Sequence, residues 1–220
     1  MTGPAPHLAG HALLMIDFQR DFCEPGGYAD RLGGVGWAQE ILPAAERLLA
    51  AARRLGLMVV HTREGYAPDL RDCSLQRRAR SQRAGAAIGS QGPLGRLLIR
   101  GEAGQDIVPQ LGPQAGEVVL DKPSYGAFCT TPLESLLRQR KIETLFFAGV
   151  TADVCVHTTL REAIDRGFFC WYVKDAISTF DPELRLACER MVEMEGGIWG
   201  ELTTTSAAIR SWEMVGAGQR

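Results

Sequence analysis

The stretch Thr144–Phe168, TLFFAGVTADVCVHTTLREAIDRGF, reads in three parts. Residues 144–149 are a continuous apolar run of strand length, a short polar turn follows, and residues 153–166 show helical spacing that stops at Gly167, where a left-handed cap belongs. A strand that is apolar on both faces and passes straight into a helix predicts a parallel sheet, because only helical crossovers cover both of its faces. Cys155 stands just inside the helix start. A thiol there is either a small apolar filler or a nucleophile, and the rest of the chain must decide.

Working outward, the same alternation recurs. Residues 11–16, 57–62, 117–120 and 168–173 are strand-like, and residues 37–55, 132–141 and 182–194 carry apolar side chains three and four apart, as at Leu133, Leu136 and Leu137. The spacing predicts a three-layer α/β/α sandwich around a parallel sheet, in one domain spanning residues 1–220 with no internal repeat. Residues 203–215 have a weaker pattern that fits a strand or a helix. Residues 63–116 break the rhythm: they are rich in Gly, Pro and Arg, and read as a lid, a subunit contact or a concealed element, with the arginines on a solvated face.

The 220 residues are 45% hydrophobic and 23% charged, the profile of a globular protein. A formal charge of −2 offers no concentrated positive field, which argues against nucleic acid and anionic membranes as partners. No apolar run reaches the roughly 18–20 residues of a membrane span, and the first residues lack a basic, cleavable leader, so the expected location is the cytoplasm. Six cysteines, at positions 23, 73, 129, 155, 170 and 188, form no C-x-x-C pair and no zinc-ligand spacing, which predicts reduced thiols.

Three strands run into residues able to do chemistry: HALLMI into Asp17, EVVLD into Lys122, and TLFFAGVTADV into Cys155. Ligands of open α/β sheets bind at the carboxyl ends of the strands, so these three are expected to converge as carboxylate, ammonium and thiol. A helix start and a nearby cation would both favour the thiolate. His157, two residues further along the helix, is rotated to the far side of it, which leaves Asp17 as the base that takes the thiol proton and returns it to a leaving nitrogen.

The motifs ALLMIDFQRDF (12–22), VVLDKPSYGAF (118–128) and AGVTADVCVHTTLREAIDRGF (148–168) closely resemble the isochorismatase-like cysteine hydrolases over nearly the whole chain. The resemblance implies a mainly parallel six-stranded sheet, a homotetramer or other homo-oligomer, and a catalytic set of Asp17, Lys122 and Cys155. It also implies a cis peptide at Val150–Thr151 that aims the Thr151 N–H, beside that of Cys155, at an oxyanion. The cysteine marks an amidase rather than an isochorismatase proper. The metal-binding D-x-H…H segment of nicotinamidases is reduced here to His61, so neither metal nor other cofactor is expected.

Within the family, HTREGYAPDL (61–70), SQRAGAAIGSQGP (81–93) and RGEAGQDIVPQL (100–111) resemble the biuret hydrolase branch. The implied substrate is a small acyclic ureide, biuret or triuret, losing ammonia from a terminal carboxamide. Glu195 stands where that branch has glutamine, and an ionised carboxylate accepts hydrogen bonds without donating, which favours a neutral, N–H-rich substrate if it faces the pocket. Phe22 and Phe128 are candidate pocket walls. The alternatives are a ureidoacrylate or N-carbamoyl amino acid amidohydrolase, a nucleotide-binding module using GGVG (33–36), and a thiol redox protein.

Overall fold

A computed structural model describes residue 8 and residues 10–217. Its central sheet has six strands: β1 (His11–Ile16), β2 (Met58–Glu64), β3 (Val118–Lys122), β4 (Thr144–Val150), β5 (Phe169–Ser178) and β6 (Glu201–Thr203). They lie in the order β3-β2-β1-β4-β5-β6. Every neighbouring pair is parallel.

The apolar runs are continuous because both faces are covered. Leu13, Met15, Val59, Phe146 and Ala148 pack under helices α1 (Leu42–Leu55) and α6 (Thr205–Ala217), in one cluster with Leu48 and Trp212. Ala12, Leu14, Ile16, Leu145 and Phe147 face the other way, toward α3 (Leu133–Gln139), α4 (His157–Ile164) and α5 (Pro182–Gly197). Strand alternation thus feeds two cores, as the three-layer reading requires.

Several boundaries differ from the sequence reading. The 37–55 pattern divides into a short helix at Gly36–Gln39 and α1, whose first turn holds Pro43; proline fits there because an N–H in the first turn would have no intrahelical acceptor. Gly56 closes α1 with φ 76°, as its position predicts. The 153–166 pattern also divides: Ala152–Val156 form a wider π-type turn before α4 begins at His157, and the Thr151 carbonyl accepts from the N–H groups of both Val154 and Val156. The weak 203–215 pattern contains the end of β6 followed by most of α6.

Residues 63–116 contain concealed elements. Strand β2 runs on through Glu64, and helix α2 (Leu75–Arg83) follows, capped by the Ser74 side chain accepting from the Arg77 N–H. A small hairpin then pairs Gln91–Gly92 with Gly95–Arg96. The buried Asp21 carboxylate fastens this segment to the loop after β1, accepting from the N–H of Leu98 at 2.8 Å and of Tyr28 at 3.2 Å. Burial pushes its pKa up to about 6, against the pull of those two bonds. Among the described residues no helix is long and apolar enough to cross a membrane.

Candidate active site

Four ionisable side chains meet at the carboxyl edge of the sheet. Asp17 directly follows β1, Glu64 ends β2, Lys122 ends β3, and Cys155 lies in the turn after β4. The register aligns Glu64 with Lys122 across β2 and β3, so two parallel strands that end level deliver their last residues to one place. Asp17 has φ 52°, which turns the chain sharply off the strand end. Gly149, in β4, has φ 145°, and a Cβ there would collide with the Ile16 carbonyl oxygen. Glycine therefore lets β1 and β4 close up just before their functional residues.

Lys122 Nζ donates to Asp17 Oδ2 at 2.7 Å and to the Ser124 carbonyl at 3.0 Å, with both ionised side chains fully buried. The Thr62 hydroxyl donates to Asp17 Oδ1 at 2.6 Å. Cys155 Sγ lies 3.7 Å from Glu64 Oε2, and the reactive atoms of Asp17, Glu64 and Cys155 all fall within 4.8 Å of one another. The three sequence candidates are therefore brought together, with a fourth group among them. Glu64 is not among the sequence candidates because the apolar run of β2 stops at Thr62, while the strand itself continues to Glu64; the signal for it is its place at the end of a strand neighbouring β1.

The electrostatics revise one expectation. Burial pushes the Cys155 thiol well above its ordinary range; Asp17 and Glu64 add to the rise and Lys122 only opposes it. The cysteine also sits in a π-type turn rather than at a regular helix start. A raised pKa favours the thiol over the thiolate, so attack on a carbonyl calls for a base to take its proton. Burial would lower the pKa of Lys122, yet Asp17, Cys155 and Glu64 together raise it, so it remains an ammonium. Burial also raises Glu64, with Lys122 pulling the other way.

Cys155 opens onto a cavity of about 350 Å³ walled by Phe22, Tyr28, Trp37, Tyr125 and Phe180, with Glu64 and Thr151 beside the sulfur. The Val150–Thr151 peptide is cis. Asp17 and Lys122 are fully buried and are not among the lining residues. Arginines read as solvated in fact enter the site from α2. Arg77 stacks on the Tyr125 ring at 3.7 Å and lies 3.8 Å from Glu64 Oε1, while Arg80 lines the cavity and donates to the Tyr28 hydroxyl at 3.2 Å. The segment 63–116 thus contributes Glu64 and Arg80 to the cavity wall.

Of the other candidates, Phe22 lines the cavity but Phe128 does not. Phe128 packs against Phe168 and under the Arg166 guanidinium, its N–H held by Glu162, as part of the core. Glu195 is exposed and is not among the residues lining the cavity; it lies at the point where α5 loses helical geometry (φ 53°). His157 faces away, with Nε2 3.1 Å from the Cys188 carbonyl oxygen. His61 pairs with Glu117 at 2.9 Å, in a bond to the residue just before β3. The GGVG segment lies between two short helical turns rather than after a strand, which removes the geometry a phosphate loop needs. All six cysteines are free.

A parallel α/β sheet with a buried thiol, two carboxylates and an ammonium at its carboxyl edge defines a hydrolase-like nucleophilic centre. The profile of the Isochorismatase domain matches residues 11–205, and the chain belongs to the isochorismatase family of hydrolases. Among solved structures, a cysteine hydrolase from Pseudomonas syringae pv. phaseolicola 1448A superposes with TM-score 0.80 at 26% identity, covering 97% of each chain. An isochorismatase family protein from Desulfovibrio vulgaris subsp. vulgaris str. Hildenborough gives 0.77 at 29%, covering 93% of this chain and 98% of that one. An N-carbamoylsarcosine amidase from Thermoplasma acidophilum shares the fold, with TM-score 0.68 at 23% identity over 89% and 96%.

Proposed function

We propose that the chain is a cysteine amidohydrolase that cleaves the terminal C–N bond of a small acyclic ureide, of the biuret or triuret type, releasing ammonia through a thioester on Cys155. The observation that carries this reading is the placement of Cys155 at the wall of a cavity of about 350 Å³, with the buried Lys122–Asp17 ion pair close to its sulfur. Attack on the carbonyl transfers the thiol proton to Asp17. Lys122 holds the negative charge that moves between carboxylate and sulfur, and the N–H groups of Thr151 and Cys155 receive the oxyanion. Aromatic rings at Phe22, Tyr28, Trp37 and Tyr125 suit a flat, conjugated ureide.

A second reading has its own support. Arg80 Nε is buried at the cavity wall without a hydrogen-bond partner among the described residues, a donor that a substrate carboxylate would satisfy. This favours a ureidoacrylate or N-carbamoyl amino acid. Ammonia release from biuret, triuret, ureidoacrylate, N-carbamoylsarcosine, maleamate and nicotinamide separates the two. The ureide reading expects the highest kcat/KM on biuret or triuret, with Arg80→Met changing it little. The second expects a carboxylated ureide to lead and to lose about 10²-fold with that substitution. Silence on all six contradicts both.

A further inference from the structure

We infer that Glu64 is a catalytic acid and base in its own right: it protonates the departing nitrogen and then takes a proton from the hydrolytic water, while Asp17 serves only the sulfur. The inference rests on the amidohydrolase reading above and divides between two carboxylates a task first assigned to one.

The division follows from which oxygens can reach the substrate. Asp17 has one oxygen on the Lys122 ammonium and the other on the Thr62 hydroxyl, and it does not line the cavity. A nitrogen leaving from a carbonyl held against Cys155 lies in the cavity, which Asp17 does not line. Glu64 does line the cavity, and its Oε2 lies 3.7 Å from Sγ. Its other oxygen is anchored: the Tyr66 hydroxyl donates to Oε1 at 2.7 Å, and the Arg77 guanidinium stands 3.8 Å away. The anchored carboxyl therefore aims one oxygen at the reacting centre. Burial raises its pKa, the direction that suits a group which must hand a proton to a leaving nitrogen.

The steps balance. Sγ bonds to the carbonyl carbon as its proton passes to Asp17. The C–N bond breaks as Glu64 transfers its proton to nitrogen, and ammonia leaves a thioester. Water then gives a proton to Glu64 and its oxygen to the carbonyl carbon. The C–S bond breaks, the acid departs, and the sulfur recovers its proton from Asp17.

An ester whose leaving group needs no proton separates this role from that of the nucleophile. With p-nitrophenyl acetate, Glu64→Gln is expected still to release one equivalent of nitrophenolate. It should then stall as an acetyl-enzyme seen by intact mass, and amide turnover should fall by about 10²- to 10⁴-fold. Glu64→Asp, which keeps the acid, should recover part of the amide turnover. Loss of the ester burst in a folded Glu64→Gln protein, or amide turnover close to wild type, would overturn the assignment. A burst that survives Cys155→Ala would instead overturn the amidohydrolase reading, and the role of Glu64 with it.

Discussion

Lys122 and Asp17 are charged groups that neither water nor the cavity reaches, and each is tolerable only because the other is there. Lys122→Met is expected to destabilise the fold by about 3–5 kcal/mol, since it leaves Asp17 buried without its counter-charge. Urea unfolding of the single variant and of the Lys122→Met/Asp17→Asn pair checks this: the double variant should recover part of the loss, and equal stabilities would contradict it. The sulfur offers a second test. Because burial and two carboxylates hold the Cys155 thiol above the usual cysteine range, its alkylation by iodoacetamide should still be accelerating at pH 9. A plateau at neutral pH would mean a resting thiolate. At this scale the sequence showed Asp17, Lys122 and Cys155, each marked by the strand it follows. It hid Glu64 behind a strand end placed two residues early, and it misplaced Phe128 and Glu195 because neither core packing nor the break in α5 leaves a periodic trace.

Among the elements, strand ends matter more than strand interiors. The β1–β4–β5 core was legible because its apolar runs are unbroken, whereas β2 and β3 end in charged residues that look like loop until their partners are known. The other end of β2 and β3 is tied to α1 by a second charged cluster. Arg53 donates to both oxygens of Glu117, at 2.7 and 2.9 Å, and His61 lies 2.9 Å from the same carboxylate. Burial alone would raise the pKa of Glu117, but Arg53, the Gln114 N–H and His61 outweigh it and hold it at about 2. A depressed carboxyl pKa stabilises the fold above the unfolded value near 4.5 and ceases to do so as pH falls toward 2. Glu117→Gln should therefore cost about 3 kcal/mol at neutral pH, with the gap to wild type closing between pH 4.5 and 2 in urea titrations. A gap independent of pH would contradict the linkage.

For the whole molecule, α2 within the segment 63–116 supplies Arg80 to the cavity and sets Arg77 on the Tyr125 ring beside Glu64. Composition alone suggested a loop there because α2 is amphipathic in charge rather than in hydrophobicity: its buried face is made of arginine stems and Ser81. Phe180, Leu186 and Met194 are more than half exposed along and just before α5, and Phe180 also borders the cavity. With the family resemblance, this surface is expected to meet a second copy of the chain, and sedimentation equilibrium should return a multiple of the 24.0 kDa chain mass; a monomer at micromolar concentration would contradict it. The claim on which the mechanism depends is the covalent thioester. Acid-quenching the enzyme during turnover of its best ureide, followed by peptide mass spectrometry, should place the acyl fragment on the peptide containing Cys155 and on no other, with no adduct in Cys155→Ala. Steady turnover with that peptide unmodified, or turnover retained by Cys155→Ala, would contradict the account.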